Sequence, residues 1–90
     1  MKFIVVEDPL GGRVPIVFPD LLNHCDVAYC MKQSNAAVYK VVDAGKLSIH
    51  EENGELKAFA YGSSTTLSDV KPTEEDRRET NVMLGILFNS

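Results

Sequence analysis

The sequence lacks the features that mark several large classes of protein. No apolar run approaches the roughly 18 residues that a helix needs to cross a bilayer. The opening residues MKFIVVEDP hold too few apolar side chains for the hydrophobic region of a signal peptide, and no small-residue cleavage site follows them. Two cysteines without an export signal are typical of reduced thiols, so the sequence predicts a cytoplasmic protein.

Basic side chains are also few. Nine lysine and arginine residues stand against 13 aspartate and glutamate residues, and the net charge is −4. A nucleic-acid-binding surface needs a basic face that neutralises phosphates, so this balance argues against direct binding of nucleic acid. An acidic inhibitor that mimics nucleic acid, and so blocks a nucleic-acid-handling protein, is a less favoured alternative because the acids are spread along the chain.

A chain of 90 residues is the size of one small domain, and we expect residues 1–90 to form a single domain. Its hydrophobic fraction of 44% is that of an ordinary globular protein. A domain this small has a modest core and little room for a deep substrate cleft unless a second subunit helps to build one. The composition therefore favours a protein that acts through its surface over an enzyme.

The first half of the chain predicts a hairpin followed by a helix. β-Branched and aromatic residues at 2–7 and 14–18 indicate two strands, joined by the turn-forming segment DPLGGR. Asn23 is a candidate N-cap, because its side-chain oxygen can accept from free amides of the first helical turn. The helix is expected over about residues 24–33.

The second half predicts three strands and a second helix. The strands are expected at residues 38–42, 46–51 and 55–62. Asn53-Gly54 tolerates the two positive φ angles of a type I′ turn, so the last two strands should form a hairpin. The expected fold is α+β, with two helices and a mainly antiparallel sheet of about five strands, in the order β-β-α-β-β-β-α.

The two-residue turn also sets the register of this hairpin, which places apolar residues on one face and a mixed set on the other. The mixed set has two aromatic side chains among polar neighbours, which is typical of a protein contact. We call it the aromatic face, and it consists of Lys46, Ser48, His50, Lys57, Phe59 and Tyr61. If the C-terminal helix covers this side of the sheet, the two aromatics belong to the core instead.

The last helix is expected to begin near Glu74, with Thr73 as its N-cap and Asp76 at the third helical position. Its second half is apolar nearly all round. We expect its core stripe to consist of Val82, Met83, Ile86 and Leu87. This choice leaves Leu84 and Phe88 as candidate contacts of a homodimer.

Reactive side chains concentrate at His24, Cys25, Asp26 and Cys30. Structural zinc ligands usually come in pairs about two to four residues apart. Cys25 and Cys30 are five residues apart, so on a helix they point about 140° away from each other. We expect His24 to be exposed in the first turn and Cys30 to fill a small core position. No catalytic residue, cofactor or metal site is predicted.

The segment YGSSTTLSD at residues 61–69 has the glycine and hydroxyl side chains of a phosphate-binding loop. However, it has no adjacent lysine, and the three acids at 74–76 that open the next helix would repel a phosphate. Its serine and threonine hydroxyls are therefore expected to bond to backbone groups of the loop.

Several short segments follow one another in a distinctive order. They are AGKLSI, an Asn-Gly turn, AYGSSTTLSD, and KPTEED before the last helix, with FPDLLNH in the first half. This order resembles small phage- or prophage-encoded proteins that have an FP-x-L-x-N-H segment and a Tyr-or-Phe-Gly-x-Ser segment. The chain departs from them at Ser63, where they have glutamate, and in DVKP, where they have KSRP. The resemblance implies an accessory protein of a mobile element, without an assigned activity or catalytic residue.

Together these features predict a non-enzymatic protein of phage or prophage origin that contacts a host or phage protein or itself, with the aromatic face and the exposed part of the last helix as its contact surfaces. A homodimeric structural module is the alternative.

Overall fold

A computed structural model of the chain describes residues 1–34 and 40–90, with residues 31–34 described by their backbone alone. In these ranges the chain forms four strands and two helices, and the predicted α+β class is confirmed. The elements are β1 (Lys2–Glu7), β2 (Arg13–Phe18), α1 (His24–Ser34), β3 (Lys40–Glu52), β4 (Glu55–Tyr61) and α2 (Glu74–Asn89). Neither described helix combines the length and the apolar character needed to span a bilayer.

The four described strands form one antiparallel sheet in the order β2-β1-β3-β4. The predicted hairpin of β1 and β2 is present and runs from the pair Lys2–Phe18 to the pair Glu7–Arg13. β1 occupies an inner position, where both faces of the sheet are covered. This explains why its central residues are continuously apolar and do not alternate with polar ones.

The sequence predicted about five strands, which is one more than residues 1–34 and 40–90 contain. The predicted strand 46–51 and the described part of 38–42 are one continuous strand, β3, while residues 38 and 39 lie outside the described residues. Gly45 does not interrupt the strand. The close packing of β3 on β4 requires glycine at this position, because a Cβ atom would lie 2.6 Å from the carbonyl oxygen of Tyr61 in β4.

A β-bulge bends β3 where it pairs with β1. Val5 pairs with Asp43 and Val6 pairs with Val41, so Val42 is the extra residue on the bulged strand. Val42 packs against the core cluster beneath α2, and the Asp43 side chain bonds to residues of α2. The bulge therefore directs two successive side chains of β3 to the same helix.

The β3–β4 hairpin has the predicted register. Asn53 and Gly54 have φ angles of 52° and 81°, as a type I′ turn requires. The cross-strand pairs run from Glu52–Glu55 beside the turn to Lys46–Tyr61 at the far end. The composition of both faces of this hairpin is therefore as predicted.

The two helices cover opposite faces of the sheet. The cluster beneath α2 consists of Phe3, Val5, Leu47, Ala58 and Leu84. The cluster beneath α1 consists of Ile4, Val6, Phe18, Ala28 and Ala44. Because alternate residues of β1 and β3 enter different clusters, the sheet is the middle layer between two cores.

The prediction of which face of α2 points toward the core was wrong. Leu84 is 0% exposed, and Phe88 is partly buried against the same core cluster, so neither is an exposed homodimer contact. Conversely, Val82 and Ile86 are 62% and 67% exposed. Of the residues expected in the core stripe, Met83 alone packs against this cluster.

Polar contacts set the rotation of α2 about its axis. Asp43 is fully buried and accepts hydrogen bonds from Nε and Nη2 of Arg77, at 3.2 Å and 3.0 Å, and from Oγ1 of Thr80 at 2.7 Å. Residues at i, i+3 and i+7 share one face of a helix. With Arg77 and Thr80 held against the sheet, Leu84 must also face inward. Hydrophobicity alone does not orient a helix end that is apolar on all sides.

The predicted capping box at the start of α2 is confirmed. The Thr73 hydroxyl accepts from the Asp76 amide at 3.0 Å, and the Asp76 carboxylate accepts from the Thr73 amide at 3.0 Å. Asp76 also accepts from Nη1 of Arg13 on β2, at 3.0 Å. The bond from the Thr73 amide, followed by the bond from Arg13, lowers the pKa of Asp76 below its ordinary value.

We expect the free energy of unfolding to decrease as the pH falls below about 4, partly because of Asp76. In the unfolded chain an aspartate titrates near its ordinary pKa of about 3.9, so the unfolded state takes up this proton first. The contribution of Asp76 is complete above that pH and is lost as the pH falls through its lowered folded pKa. Urea unfolding at a series of acidic pH values measures this dependence.

The variant Asp76→Asn should show a weaker dependence on pH in the same measurement. Asp69→Asn, which changes an exposed acid in the preceding loop, is the matched control and should keep the wild-type dependence. Equal pH dependence in Asp76→Asn and the wild type would contradict the prediction.

Candidate protein-contact site

The side of the sheet that carries Phe59 and Tyr61 is open to solvent over the outer half of the β3–β4 hairpin. The two side chains are 48% and 51% exposed. They lie on the same side as α1, but α1 packs against β1 and the start of β3 and does not cover them. α2 lies on the opposite side. The alternative in which the last helix buries these aromatics is therefore excluded.

The aromatic face is built from three cross-strand pairs, Lys46–Tyr61, Ser48–Phe59 and His50–Lys57. The ring centroids of His50 and Phe59 are 5.7 Å apart, with an angle of 60° between the ring planes. The Ser48 hydroxyl lies 3.4 Å from Nε2 of His50. The six residues predicted from the sequence thus form one continuous surface. Phe59 lies in its middle pair, and Tyr61 lies at one end beside Lys46.

The charge of this surface differs between its two ends. Near the turn, Nζ of Lys57 lies 3.6 Å from the Glu52 carboxylate, and both side chains are at least half exposed. At the far end, Lys46 is the cross-strand partner of Lys2 on β1, whose Nζ donates to the Leu22 carbonyl oxygen at 3.0 Å. Two lysines therefore lie side by side next to Tyr61, in a chain whose net charge is −4.

Sequence reasoning did not include Lys2 in the site. Its place beside Lys46 follows from the pairing of β1 with β3, which links residues 44 positions apart. No local pattern around either lysine indicates this pairing.

A groove of about 670 Å³ runs along the outer edge of β4, beside α2. Phe59 lines it from the strand, and Val82, Gly85 and Ile86 line it from the helix. The aromatic face therefore continues around the edge of the sheet onto exposed apolar side chains of α2.

Two asparagines of α2 bond to the outer edge of β4, and we call them the asparagine clasp. Oδ1 of Asn81 accepts from the Ala60 amide at 2.7 Å. Oδ1 of Asn89 accepts from the Leu56 amide at 2.9 Å, and its Nδ2 donates to the Leu56 carbonyl at 2.7 Å. Eight helical residues span about 12 Å and four strand residues about 13 Å, so the two spacings match. The clasp occupies edge groups that would otherwise pair with another chain.

His24 is buried and is not the exposed residue that the sequence predicted. Its Nε2 donates to the Gly45 carbonyl oxygen at 2.8 Å, and its ring packs edge-on against Phe18, with centroids 5.3 Å apart. Cys30 is exposed and does not fill a core position. Within residues 1–34 and 40–90, no group of three or more histidine, cysteine or acidic side chains is placed to bind a metal.

Two hydroxyl groups of the loop after β4 accept from backbone amides, one within the loop, as expected, and one outside it. Oγ of Ser64 accepts from the Leu67 amide at 3.0 Å within the loop. Oγ1 of Thr66 accepts from the Cys25 amide at 3.2 Å, so it satisfies a free donor in the first turn of α1. The predicted N-cap Asn23 instead contacts the Asp26 carboxylate with its Nδ2, at 3.4 Å. The loop therefore anchors α1 and leaves the aromatic face uncovered.

A search of protein-family models, of curated proteins and of solved structures finds no match to this chain.

Proposed function

We propose that the chain is a non-enzymatic protein that binds a partner protein through the aromatic face. The observation that supports this is the exposure of Phe59 and Tyr61 among the polar side chains of this sheet surface. Aromatic side chains surrounded by polar ones are typical of the residues that contribute most to binding. Burial of a large apolar side chain is worth about 1.5–3 kcal/mol, and this free energy is available to a partner that covers the two rings.

The charges around the rings define the chemistry of that partner. Lys46 and Lys2 lie together beside Tyr61, and the rest of the chain is acidic. We expect the partner to offer apolar side chains to the two rings and a carboxylate group to the lysine pair. Such complementarity mainly increases the rate of association and selects among partners. In this proposal the chain is a cytoplasmic accessory protein of a phage or prophage, and the partner is a host or phage protein.

We expect the double variant Phe59→Ser/Tyr61→Ser to fold normally and to bind its partner at least about 30-fold more weakly. Each ring that is buried in the contact should contribute on the order of 1 kcal/mol or more, and 1.4 kcal/mol corresponds to a factor of ten. A photo-reactive amino acid at position 59 identifies the partner by cross-linking in cells. Isothermal titration with the purified partner then gives the Kd of the wild type and of the variants.

Leu10→Ser is the matched control, because Leu10 is an almost fully exposed apolar residue in the turn between β1 and β2. It should bind like the wild type. Lys46→Glu should slow association, most strongly at low salt. The proposal is wrong if the double variant, shown to be folded by circular dichroism, keeps the wild-type affinity.

Two other outcomes would assign a different function. Salt-sensitive binding of a single-stranded oligonucleotide that requires both rings would indicate base stacking on the sheet. The alternative of an acidic inhibitor would be supported by a complex with a nucleic-acid-handling protein whose affinity is unchanged by the ring substitutions but decreases steeply with salt.

A further inference from the structure

The turn between β3 and β4 holds a reactive pair of groups that the proposed function does not use. An asparagine followed by glycine is prone to deamidation, because glycine has no side chain to shield the backbone nitrogen that attacks the asparagine amide. Asn53 and Gly54 are both exposed, and a Cβ atom at Gly54 would meet no other atom within 4 Å. Within residues 1–34 and 40–90, no hydrogen bond holds the Asn53 side chain in place.

The closed turn restrains this reaction. The φ angles of 52° at Asn53 and 81° at Gly54 belong to a type I′ turn. In that turn the Gly54 nitrogen points away from the Asn53 side chain, and a rotation about the Cα–C bond of Asn53 is needed before the two can meet. The ease with which this end of the hairpin opens therefore decides the rate.

The charges beside the turn favour opening. The first cross-strand pair is Glu52–Glu55, and like charges directly opposite each other are destabilising. Lys57 lies 3.6 Å from Glu52, but both side chains are at least half exposed, and such an ion pair contributes little. The buried residues of the hairpin, Leu47 and Ala58, lie further from the turn. Few interactions therefore hold this end, and it can open without unfolding the rest of the domain.

We infer that Asn53 is a site of spontaneous deamidation in the folded protein, reached through local opening of this hairpin end. The Gly54 nitrogen forms a bond to Cγ of Asn53 and loses its proton, while the Cγ–Nδ2 bond breaks and ammonia leaves with that proton. The resulting succinimide ring then takes up one water molecule. Cleavage of its Cγ–N bond gives aspartate. Cleavage of its other C–N bond gives isoaspartate, in which the main chain runs through Cβ and Cγ.

The two products have different effects on the turn. Aspartate tolerates a positive φ angle and can keep the turn. Isoaspartate lengthens the main chain at position 53, so a two-residue turn can no longer hold the register. Both products add a carboxylate beside Glu52 and Glu55. We expect the loosening to stop at Leu56, because its amide and carbonyl groups both bond to Asn89.

Peptide mapping of the folded wild type, incubated for days in mildly alkaline buffer, tests this inference. Mass spectrometry should show conversion at Asn53, and a protease that cleaves before aspartate but not before isoaspartate separates the two products. Asn81 is the internal control and should stay unmodified, because it bonds to the Ala60 amide and is followed by the β-branched Val82. If Asn53 is unchanged after a time that converts it fully in urea, the inference is wrong.

The variant Glu55→Lys tests the route through local opening. It replaces the repulsive cross-strand pair by an attractive one, so the ratio of the deamidation rate in the folded state to that in urea should fall about five-fold. An unchanged ratio would contradict this route. The ratio is used because the rate in urea contains the effect of the substitution on the chemistry itself.

Amide hydrogen exchange tests the structural consequence. In the isoaspartate form, exchange should become faster at residues 51–55 and stay slow in the rest of the sheet. Asn53→Gly is the matched control, because a Gly-Gly turn accepts the same φ angles and cannot deamidate, so its exchange should not change during incubation. Equal exchange in the modified and unmodified forms would overturn the consequence. None of these measurements involves a partner, so they are independent of the proposed function.

Discussion

Replacement of Asp43 by alanine is expected to lower the free energy of unfolding by about 3 kcal/mol. The Asp43 carboxylate is fully buried and accepts from Arg77, from Thr80 and, at 2.8 Å, from the amide of Ala44. Without it, the Arg77 guanidinium keeps the Gly62 carbonyl oxygen and the Thr80 hydroxyl keeps the Asp76 carbonyl oxygen, but both lose the buried carboxylate that compensates the charge of Arg77. Removal of one member of a buried pair typically costs about 3–5 kcal/mol. We expect the lower end because the Arg77 side chain is still 21% exposed.

Urea unfolding measures this loss directly. Asp69→Ala removes an exposed acid and should change the unfolding free energy by less than about 0.5 kcal/mol. Small domains are stable by only about 5–15 kcal/mol, so this loss is a large fraction of the total, and Asp43→Ala should unfold at a lower temperature than the wild type. A loss below about 1 kcal/mol would contradict the role assigned to this buried pair.

Leu84→Ala is expected to cost about 2–5 kcal/mol, whereas Ile86→Ala should cost less than about 0.5 kcal/mol. The two residues are neighbours on one helix, but Leu84 is 0% exposed and Ile86 is 67% exposed. Truncation of Leu84 removes buried methyl groups and leaves a cavity in the cluster beneath α2. Truncation of Ile86 removes atoms that are already in contact with water.

Chemical unfolding of both variants at matched concentration gives the difference. If Ile86→Ala is the more destabilising change, α2 is rotated with the face of Val82 and Ile86 inward, as its apolar pattern alone suggests.

The parts of the fold that depend on near neighbours in the chain were predictable. The positive φ angles of Asn53 and Gly54 determine the turn, and the turn determines every pair of the β3–β4 hairpin. The capping box of Thr73 and Asp76 similarly determines where α2 begins. In both cases the deciding interactions join residues no more than a few positions apart.

The features that depend on tertiary contacts were not predictable from local pattern. Gly45 reads as a break between strands, but it allows close approach to the backbone of β4. The rotation of α2 follows from Asp43, which lies 34 positions from Arg77 in the sequence. An apolar pattern indicates that a helix packs against something, and a distant polar partner decides which side of it does so.

The candidate site also combines features that follow from local sequence with features that depend on tertiary contacts. The hairpin register placed Phe59 and Tyr61 on one face. Their exposure depends on how far α1 extends over the sheet, and the hairpin register does not determine this extent. Lys2 and the asparagine clasp were missed because both require the strand order, in which β1 neighbours β3 and β4 lies at an edge.

The asparagine clasp has a consequence for the order of folding. α2 follows β4 along the chain, so the outer edge of β4 stays open until Asn81 and Asn89 dock against it. During that interval the backbone groups of Leu56 and Ala60 can pair with the same strand of another incompletely folded copy. Conditions that slow the docking of α2 during refolding therefore favour edge-to-edge aggregates over folded chains.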